Sequence, residues 1–269
     1  MSGPIAVLGG PGTFAWRAYQ QIRESYGWVG EPRYLTEVDE MWAALREGQV
    51  EALCLAVETS RSGFTPTASV LLAEPAFHVI AESIIPYRCG LYVRKGSPLL
   101  RVQVVLGHRS LDLVQDWLRE HLPRARTEVR ANTLEAAREV AASDGSLAVV
   151  GSPNLPEFVP GIEAVARDVD GGAVARWWLV SRRPRFEESL DRAVLATGPL
   201  RARDLAALLE RTAAAGLYLE GLYCEAAPGS DFRYRSLVLA GSRGAGLRLG
   251  ELAPLQSDAV RPAGAFKLR

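Results

Sequence analysis

Three short stretches of this chain place hydroxyls, carboxylates and a guanidinium where a predicted strand ends or turns. The first is Leu8–Phe14 (LGGPGTF), between a strand and a helix. Glycines let the backbone turn tightly there, and the helix that follows presents unpaired N–H groups to an anion. Gly12 and Thr13 offer amides and a hydroxyl, and Phe14 an apolar wall. The second is Ala56–Gly63 (AVETSRSG), where Glu58, Thr59 and Ser60 collect at the carboxyl edge of a strand. Open α/β sheets bind ligands at that edge. The third is Ala175–Trp178 (ARWW), in which Arg176, between Ala175 and Trp177, offers a planar fork of donors matched to a carboxylate. The set suits holding a small carboxylate. Each stretch also has a plainer reading: an unliganded turn, a helix capped by Ser60, and a solvated arginine on an amphipathic strand.

The elements that must position these stretches alternate in type. Residues 4–9 form an apolar strand, and Phe14, Ala18 and Ile22 share one face of a helix reaching Tyr26. A strand at 32–36 leads to a capping box, Thr36 with Asp39, before a helix with the stripe Val38, Met41, Trp42 and Leu45 that Gly48 ends. Glu51–Val57 is a third strand, and this order predicts a mostly parallel sheet covered on both faces. An extended run at 77–94 opens a second set: a strand at 102–106, a helix at 110–122, a strand at 127–131, a helix capped by Asn132 with Glu135, and a strand at 147–151. Residues 174–182 close this half as a strand. Two α/β lobes joined by extended crossings predict a bilobal, periplasmic-binding-protein-like domain over 1–182, its second lobe spanning about 77–165 and its ligand held between lobes. Beyond the charged segment 182–189, a strand at 191–197, a helix at 200–214, strands at 217–225 and 232–240, a weak helix and a last strand follow. That is a ferredoxin-like β-α-β-β-α-β order over 190–269.

Composition narrows the partners. A length of 269 residues predicts two domains. With 31 basic against 31 acidic residues, no whole-chain field draws in nucleic acid or a membrane surface. Cys54, Cys89 and Cys224 are widely spread with no CxxC, and the histidines are His78, His108 and His121, so neither a disulfide framework nor a metal site is expected. Thiols in a reducing cytosol fit better. The opening MSGPIAVLGG has no basic region or cleavage site and reads as a strand; no apolar run is long enough to span a bilayer. A cytoplasmic protein is the expectation.

Taken in order, the three stretches resemble the prephenate dehydratase family. The family's GPxGTF-type loop corresponds to Gly9–Phe14, and its Pro-Ile-Glu-Asn-Ser turn to Ala56-Val57-Glu58-Thr59-Ser60, with the later glycine at Gly63. Its Ser-Thr-x-x-Ala-Ala helix start resembles Asn132-Thr133-Leu134-Glu135-Ala136-Ala137, and its Thr-Arg-Phe motif Ala175-Arg176-Trp177. Val260–Phe266 (VRPAGAF) looks like the closing strand of the family's ACT domain. The resemblance implies a dehydratase domain, an ACT-like regulatory domain and a homodimer or homotetramer, with Tyr218, Leu222 and Leu237 as interface positions. It implies Thr13, Glu58, Thr59, Ser60 and Thr133 as catalytic candidates, and Gly12, Phe14, His108, Asn132, Ala175, Arg176 and Trp177 at the substrate.

Departures from the family limit what carries over. Its Ser-His-Pro is Gly107-His108-Arg109, the Asn of the glutamate turn is Thr59, and the threonine used at the reacting hydroxyl is Ala175. The Glu-Ser-Arg-Pro effector motif is Tyr223-Cys224-Glu225-Ala226, and the helix-opening Gly-Ala-Leu is Arg203-Asp204-Leu205, which puts an amino-acid effector in question. Prephenate needs no cofactor, because the electrons left by carbon dioxide flow through its diene. The implied activity is decarboxylation of prephenate or a close analogue in aromatic amino acid or specialised metabolism, with or without loss of the ring hydroxyl. Members of the superfamily in specialised metabolism that retain the hydroxyl also lack the threonine. A catalytically silent ligand-binding protein is the alternative on the same scaffold. A dinucleotide loop (Gly10, Gly12 and Ala15 with Glu37) is a weaker rival, since its acid stands later than that motif wants.

Overall fold

The computed structural model describes residues 3–27, 30–187, 189–229, 231–242 and 247–269. The chain runs β1 (Ile5–Leu8), α1 (Phe14–Tyr26), β2 (Pro32–Leu35), α2 (Val38–Arg46), β3 (Ala52–Thr59), the two-residue β4 (Gly63–Phe64), α3 (Thr67–Ala73) and β5 (His78–Pro86). It continues through β6 (Gly90–Arg94), β7 (Val104–Gly107), α4 (Gln115–His121), β8 (Arg126–Val129), α5 (Thr133–Ala142), β9 (Leu147–Gly151), α6 (Leu155–Phe158), β10 (Ile162–Ala166) and β11 (Val174–Ser181). The last stretch holds β12 (Ser189–Leu190), β13 (Arg192–Thr197), β14 (Leu200–Arg201), α7 (Ala202–Ala214), β15 (Leu217–Ala226), β16 (Arg233–Ser242), β17 (Leu247–Arg248) and β18 (Val260–Phe266). Two compact units result: Met1–Gly63 with Ile84–Trp177, and Phe64–Ser83 with Trp178–Arg269. No helix among the described residues is long and apolar enough to cross a membrane.

The first unit holds two sheets. In one, β1 pairs in parallel with β2 and with β3, and β11 lies on the far side of β3. Helix α1 begins where Thr13 accepts a hydrogen bond from the Trp16 amide, ends at left-handed Gly27, and buries Phe14, Ala18, Tyr19 and Ile22. The capping box of α2 is Glu37 with Glu40, not Thr36 with Asp39: the helix starts at Val38, so its third residue is Glu40, whose carboxylate reaches back to the Glu37 amide. In the other sheet the order is β10-β6-β9-β7-β8. There β7 is parallel to β8 and β9, while β6 is antiparallel to β9 and β10. Tyr92, Leu106, Ala137, Val140, Val149 and Leu155 form its core against α5. The single helix expected at 110–122 is broken at Val114, whose ψ of 5° is not helical, into a 3-10 turn (Arg109–Leu113) and α4.

In the second unit the strand order β15-β16-β13-β18 is antiparallel throughout. With α7 between β13 and β15, this is the ferredoxin-like order, except that a 3-10 turn (Leu249–Leu255) containing Pro254 replaces the second helix. Helix α3 packs on β13 and β16, and β5 joins β18 in parallel at Val79 and Gly264. A single cut at 182–190 therefore does not separate the compact units: Phe64–Ser83 packs with the C-terminal strands. Leu237 is buried inside this unit and offers nothing to an interface, whereas Leu222 is exposed.

Candidate active site

Strand direction assembles the candidate residues of the first unit. Because β1 and β3 run parallel side by side, the loop after β1 and the turn after β3 emerge at one edge of the first sheet. Parallel β7, β8 and β9 likewise bring His108, Asn132–Thr133 and Ser152 to the carboxyl edge of the second. The two edges meet. Ser152 Oγ donates to the Gly12 carbonyl, the rings of Trp16 and Phe158 stand 5.2 Å apart edge to face, and Arg61 pairs with Asp116 at 3.2 Å.

The hydroxyls here have unequal freedom. Thr13 donates to the Gly10 carbonyl at 2.8 Å and accepts from the Trp16 amide at 3.2 Å, so it serves the turn and the cap. Thr59 Oγ1 pairs with Ser62 Oγ at 2.7 Å and accepts from the Ser62 amide at 2.9 Å. Ser60 stitches the turn to β11: its amide donates to the Val174 carbonyl and its Oγ accepts from the Val174 amide at 3.1 Å. The plainer reading of Ser60 as a helix cap is thus replaced by a backbone stitch. Asn132 Oδ1 accepts from the Glu135 amide at 3.0 Å and caps α5. Thr133, the first residue of that helix, is buried with its methyl toward Gly151. Among the described residues no group hydrogen-bonds its hydroxyl.

Charge at the β3–β11 pair is compensated. Arg176 Nε donates to Glu58 Oε2 at 2.9 Å, and both side chains are mostly buried, which overturns the reading of a solvated arginine. Strand alternation puts Ala175 and Trp177 on the face opposite Arg176. Both are buried, and Trp177 Nε1 has no hydrogen-bond partner among the described residues. A buried donor left unmet in the protein is one that a ligand oxygen can satisfy. Burial, and then the Arg109 guanidinium, hold the His108 pKa below the ordinary imidazole value, so the ring is neutral at pH 7. Phe14 packs edge-on to Tyr87 at 4.7 Å, and burial pushes the Tyr87 phenol up.

Sequence reasoning missed Ser152 and Tyr87. Ser152 stands directly after a predicted strand, the position that drew notice to Glu58–Ser60, so the same signal was present. Tyr87 lies inside the extended run 77–94, and nothing local marks it.

The chain's relatives agree with this layout. A family model described as prephenate dehydratase matches residues 5–185. The prephenate dehydratase of Amycolatopsis methanolica is 29% identical over 228 residues, which cover 81% of this chain and 72% of that protein. The crystal structure of prephenate dehydratase from Arthrobacter aurescens, in complex with L-Phe, superposes with a TM-score of 0.81 at 22% identity over 99% of this chain and 90% of that one. GqqA, described as a novel type of quorum quenching acylase, superposes with a TM-score of 0.76 at 23% identity over 99% of this chain and 98% of that one. At such identities these structures establish the fold alone, and they carry two different activities. The family match is what spans the glycine loop, the Glu58 turn and the Ala175–Trp177 strand together, and by it this chain belongs to the prephenate dehydratase family.

Proposed function

We propose that the protein is a lyase that decarboxylates prephenate, or a close cyclohexadiene analogue, and leaves the ring hydroxyl in place. Ala175 carries this reading: a buried methyl stands where the family motif has its threonine. When carbon dioxide leaves, the electron pair of the broken bond forms a ring double bond and pushes the neighbouring π pair outward. If the ring hydroxyl is protonated as it departs, water is lost and phenylpyruvate forms. If it is not, the pair is protonated on carbon and a dihydro-hydroxyphenylpyruvate results. Thr13 and Thr59 are engaged in turns, which supports the second outcome. Thr133 favours the first, because its hydroxyl has no partner among the described residues.

In this reading the Gly12 amide, Ser60 and Arg176 hold the two carboxylates, with Arg176 sharing its charge between ligand and Glu58, while the Thr13 amide is kept by the Gly10 carbonyl within the turn. Asn132, neutral His108 and the Trp177 indole N–H take the remaining oxygens, and Phe14 walls the ring. We read the C-terminal β-α-β-β-β as an ACT-like domain, the assembly as a homodimer or homotetramer through exposed Leu222, and the location as cytoplasmic. The Arthrobacter aurescens relative holds L-Phe. Here the effector motif is replaced, and Glu225 accepts from Ser69, from Tyr223 at 3.0 Å and from Arg235. An acid already met by three donors is poorly placed to take an amino acid's ammonium group, so L-Phe is expected to change neither turnover nor Tm.

Incubation with prephenate, followed by absorbance and mass, tests the activity. The expected product has lost carbon dioxide and kept oxygen. Phenylpyruvate as the main product would replace this reading with a dehydratase. A raised Tm with prephenate and no turnover would replace it with the binding-only alternative.

A further inference from the structure

We propose that Ser152 is a positioning residue: its hydroxyl latches the second lobe onto the glycine loop and so sets that loop for the substrate. The substrate half of this inference rests on the proposed function; the latch itself does not.

Ser152 is fully buried at the end of β9, and its Oγ donates to the Gly12 carbonyl 140 residues away in sequence. It is held from behind, because its own carbonyl accepts from the Tyr92 hydroxyl at 2.8 Å, and Tyr92 belongs to the core of the second lobe. The loop is bare where that lobe sits. A Cβ on Gly10 would lie 3.2 Å from Leu134 Cδ2, and one on Gly12 would lie 2.7 Å from Phe158 Cδ2. Gly12 also needs its φ of +85°. The missing side chains are therefore explained by close approach of α5 and α6, and the Gly12 carbonyl is the loop group that receives a directed bond across the gap. Phe158 adds an edge-on contact to Trp16 and stays partly exposed, so it marks the rim of this contact.

Fixing the Gly12 carbonyl fixes the one peptide plane it shares with the Thr13 amide, and that amide closes the turn by donating to the Gly10 carbonyl at 3.2 Å, so the latch holds the turn from which the Gly12 amide is offered to a carboxylate. A single neutral hydrogen bond shifts an open–closed equilibrium by about fivefold to tenfold. A substrate that binds the closed form must then supply that factor when the latch is lost. Saturating substrate restores closure, so the loss falls on KM and spares kcat.

The test measures lobe separation without any ligand. In a Cys224→Ser background, whose remaining thiols Cys54 and Cys89 are buried, Glu24→Cys and Arg138→Cys carry spin labels, one on an exposed face of each lobe. Electron–electron resonance should show one short distance with Ser152 present and a longer, broader distribution in Ser152→Ala. Phe158→Ala, a truncation at a partly exposed site that spares folding, should broaden it in the same direction. Unchanged distributions in both variants would overturn the latch. With prephenate as probe, Ser152→Ala should raise KM about fivefold to tenfold with kcat within about twofold. A lowered Tm with KM unchanged would reduce Ser152 to a structural role. If the parent protein does not consume prephenate, the proposed function fails while the distance measurement still decides the latch.

Discussion

At the scale of single residues, the proposed reaction turns on one absent oxygen. Ala175→Thr puts a hydroxyl back on the face of β11 that also carries Trp177, and it should raise the ratio of phenylpyruvate to decarboxylated, hydroxylated product. Mass analysis of the product mixture checks this, and an unchanged ratio would count against the missing donor as the cause. Thr133→Val is its complement. If the uncommitted hydroxyl of Thr133 delivers the proton, turnover should fall by about 10²- to 10⁴-fold with little loss of stability. His108 supplies a separate observable. Burial first, and Arg109 second, depress its pKa, so the folded protein resists a proton that the unfolded chain takes up near an ordinary value of about 6.5. Stability should therefore be complete above that pH, fall as pH drops through it, and level off below the folded pKa. Thermal melts across this window should show a shallower fall in His108→Gln than in the parent. His78, whose pKa burial also lowers, contributes its share to both.

At the scale of elements, the two crossings between lobes are tied by one carboxylate. Asp170 is buried; Oδ1 accepts from the Cys89 amide at 2.6 Å and Oδ2 from the Ala173 amide at 2.9 Å. Backbone bonds from Val169 to Cys89 and from Tyr87 to Ala173 complete the seam. Asp170→Ala leaves two buried donors unmet, at about 1–3 kcal/mol each, and should lower Tm by roughly 5–15 °C. A melt within 2 °C of the parent (about 2 °C corresponding to under 1 kcal/mol at this size) would show that water or the backbone replaces it. Nothing local in the sequence announces this seam, since Asp170 and Cys89 lie 81 residues apart. The same limit hid the Glu58–Arg176 pair, separated by 118 residues. Periodic elements were legible: α1, β1, β3, β9, β11 and α7 stand where apolar spacing put them, and Asn132 caps α5 as its side chain predicts. Helix α3 and strand β10 were not, because a seven-residue helix and a five-residue strand carry too little periodicity to stand out from flanking loops. The one-residue shift of the α2 cap has a similar origin, since Thr36, Glu37, Asp39 and Glu40 offer two overlapping boxes and only the start of the helix chooses between them.

At the scale of the whole chain, the family match ends at residue 185, yet a cut there should not release a stable piece. Residues 64–83 pack with strands that lie beyond it. Leu71, Val79 and Ile80 are buried, α3 rests on β13 and β16, and the Val79 position on β5 pairs with Gly264 of β18. Glu82 has no exposed carboxylate oxygen to fall back on: Trp178 Nε1 donates to it at 2.8 Å and Arg192 Nε at 3.2 Å, with Glu220 on the far side of the same guanidinium. Arg261 likewise donates to the Leu71 carbonyl at 2.9 Å. Removing residues 186–269 would expose each of those apolar side chains, at about 1.5–3 kcal/mol apiece, and would strip a buried carboxylate of its arginine. Against a typical total stability of about 5–15 kcal/mol that is enough to unfold the segment. A protein ending at Arg185 is therefore expected to be insoluble, or to lose near-ultraviolet dichroism while keeping far-ultraviolet signal. Arg192→Met in the full chain should reproduce a milder form, with buried Glu82 deprived of its arginine while Trp178 still donates to it. Cooperative unfolding of the truncated protein at the Tm of the full chain would show instead that the first 185 residues carry their own core, and that the contacts of α3 and β5 with the C-terminal strands contribute little to it.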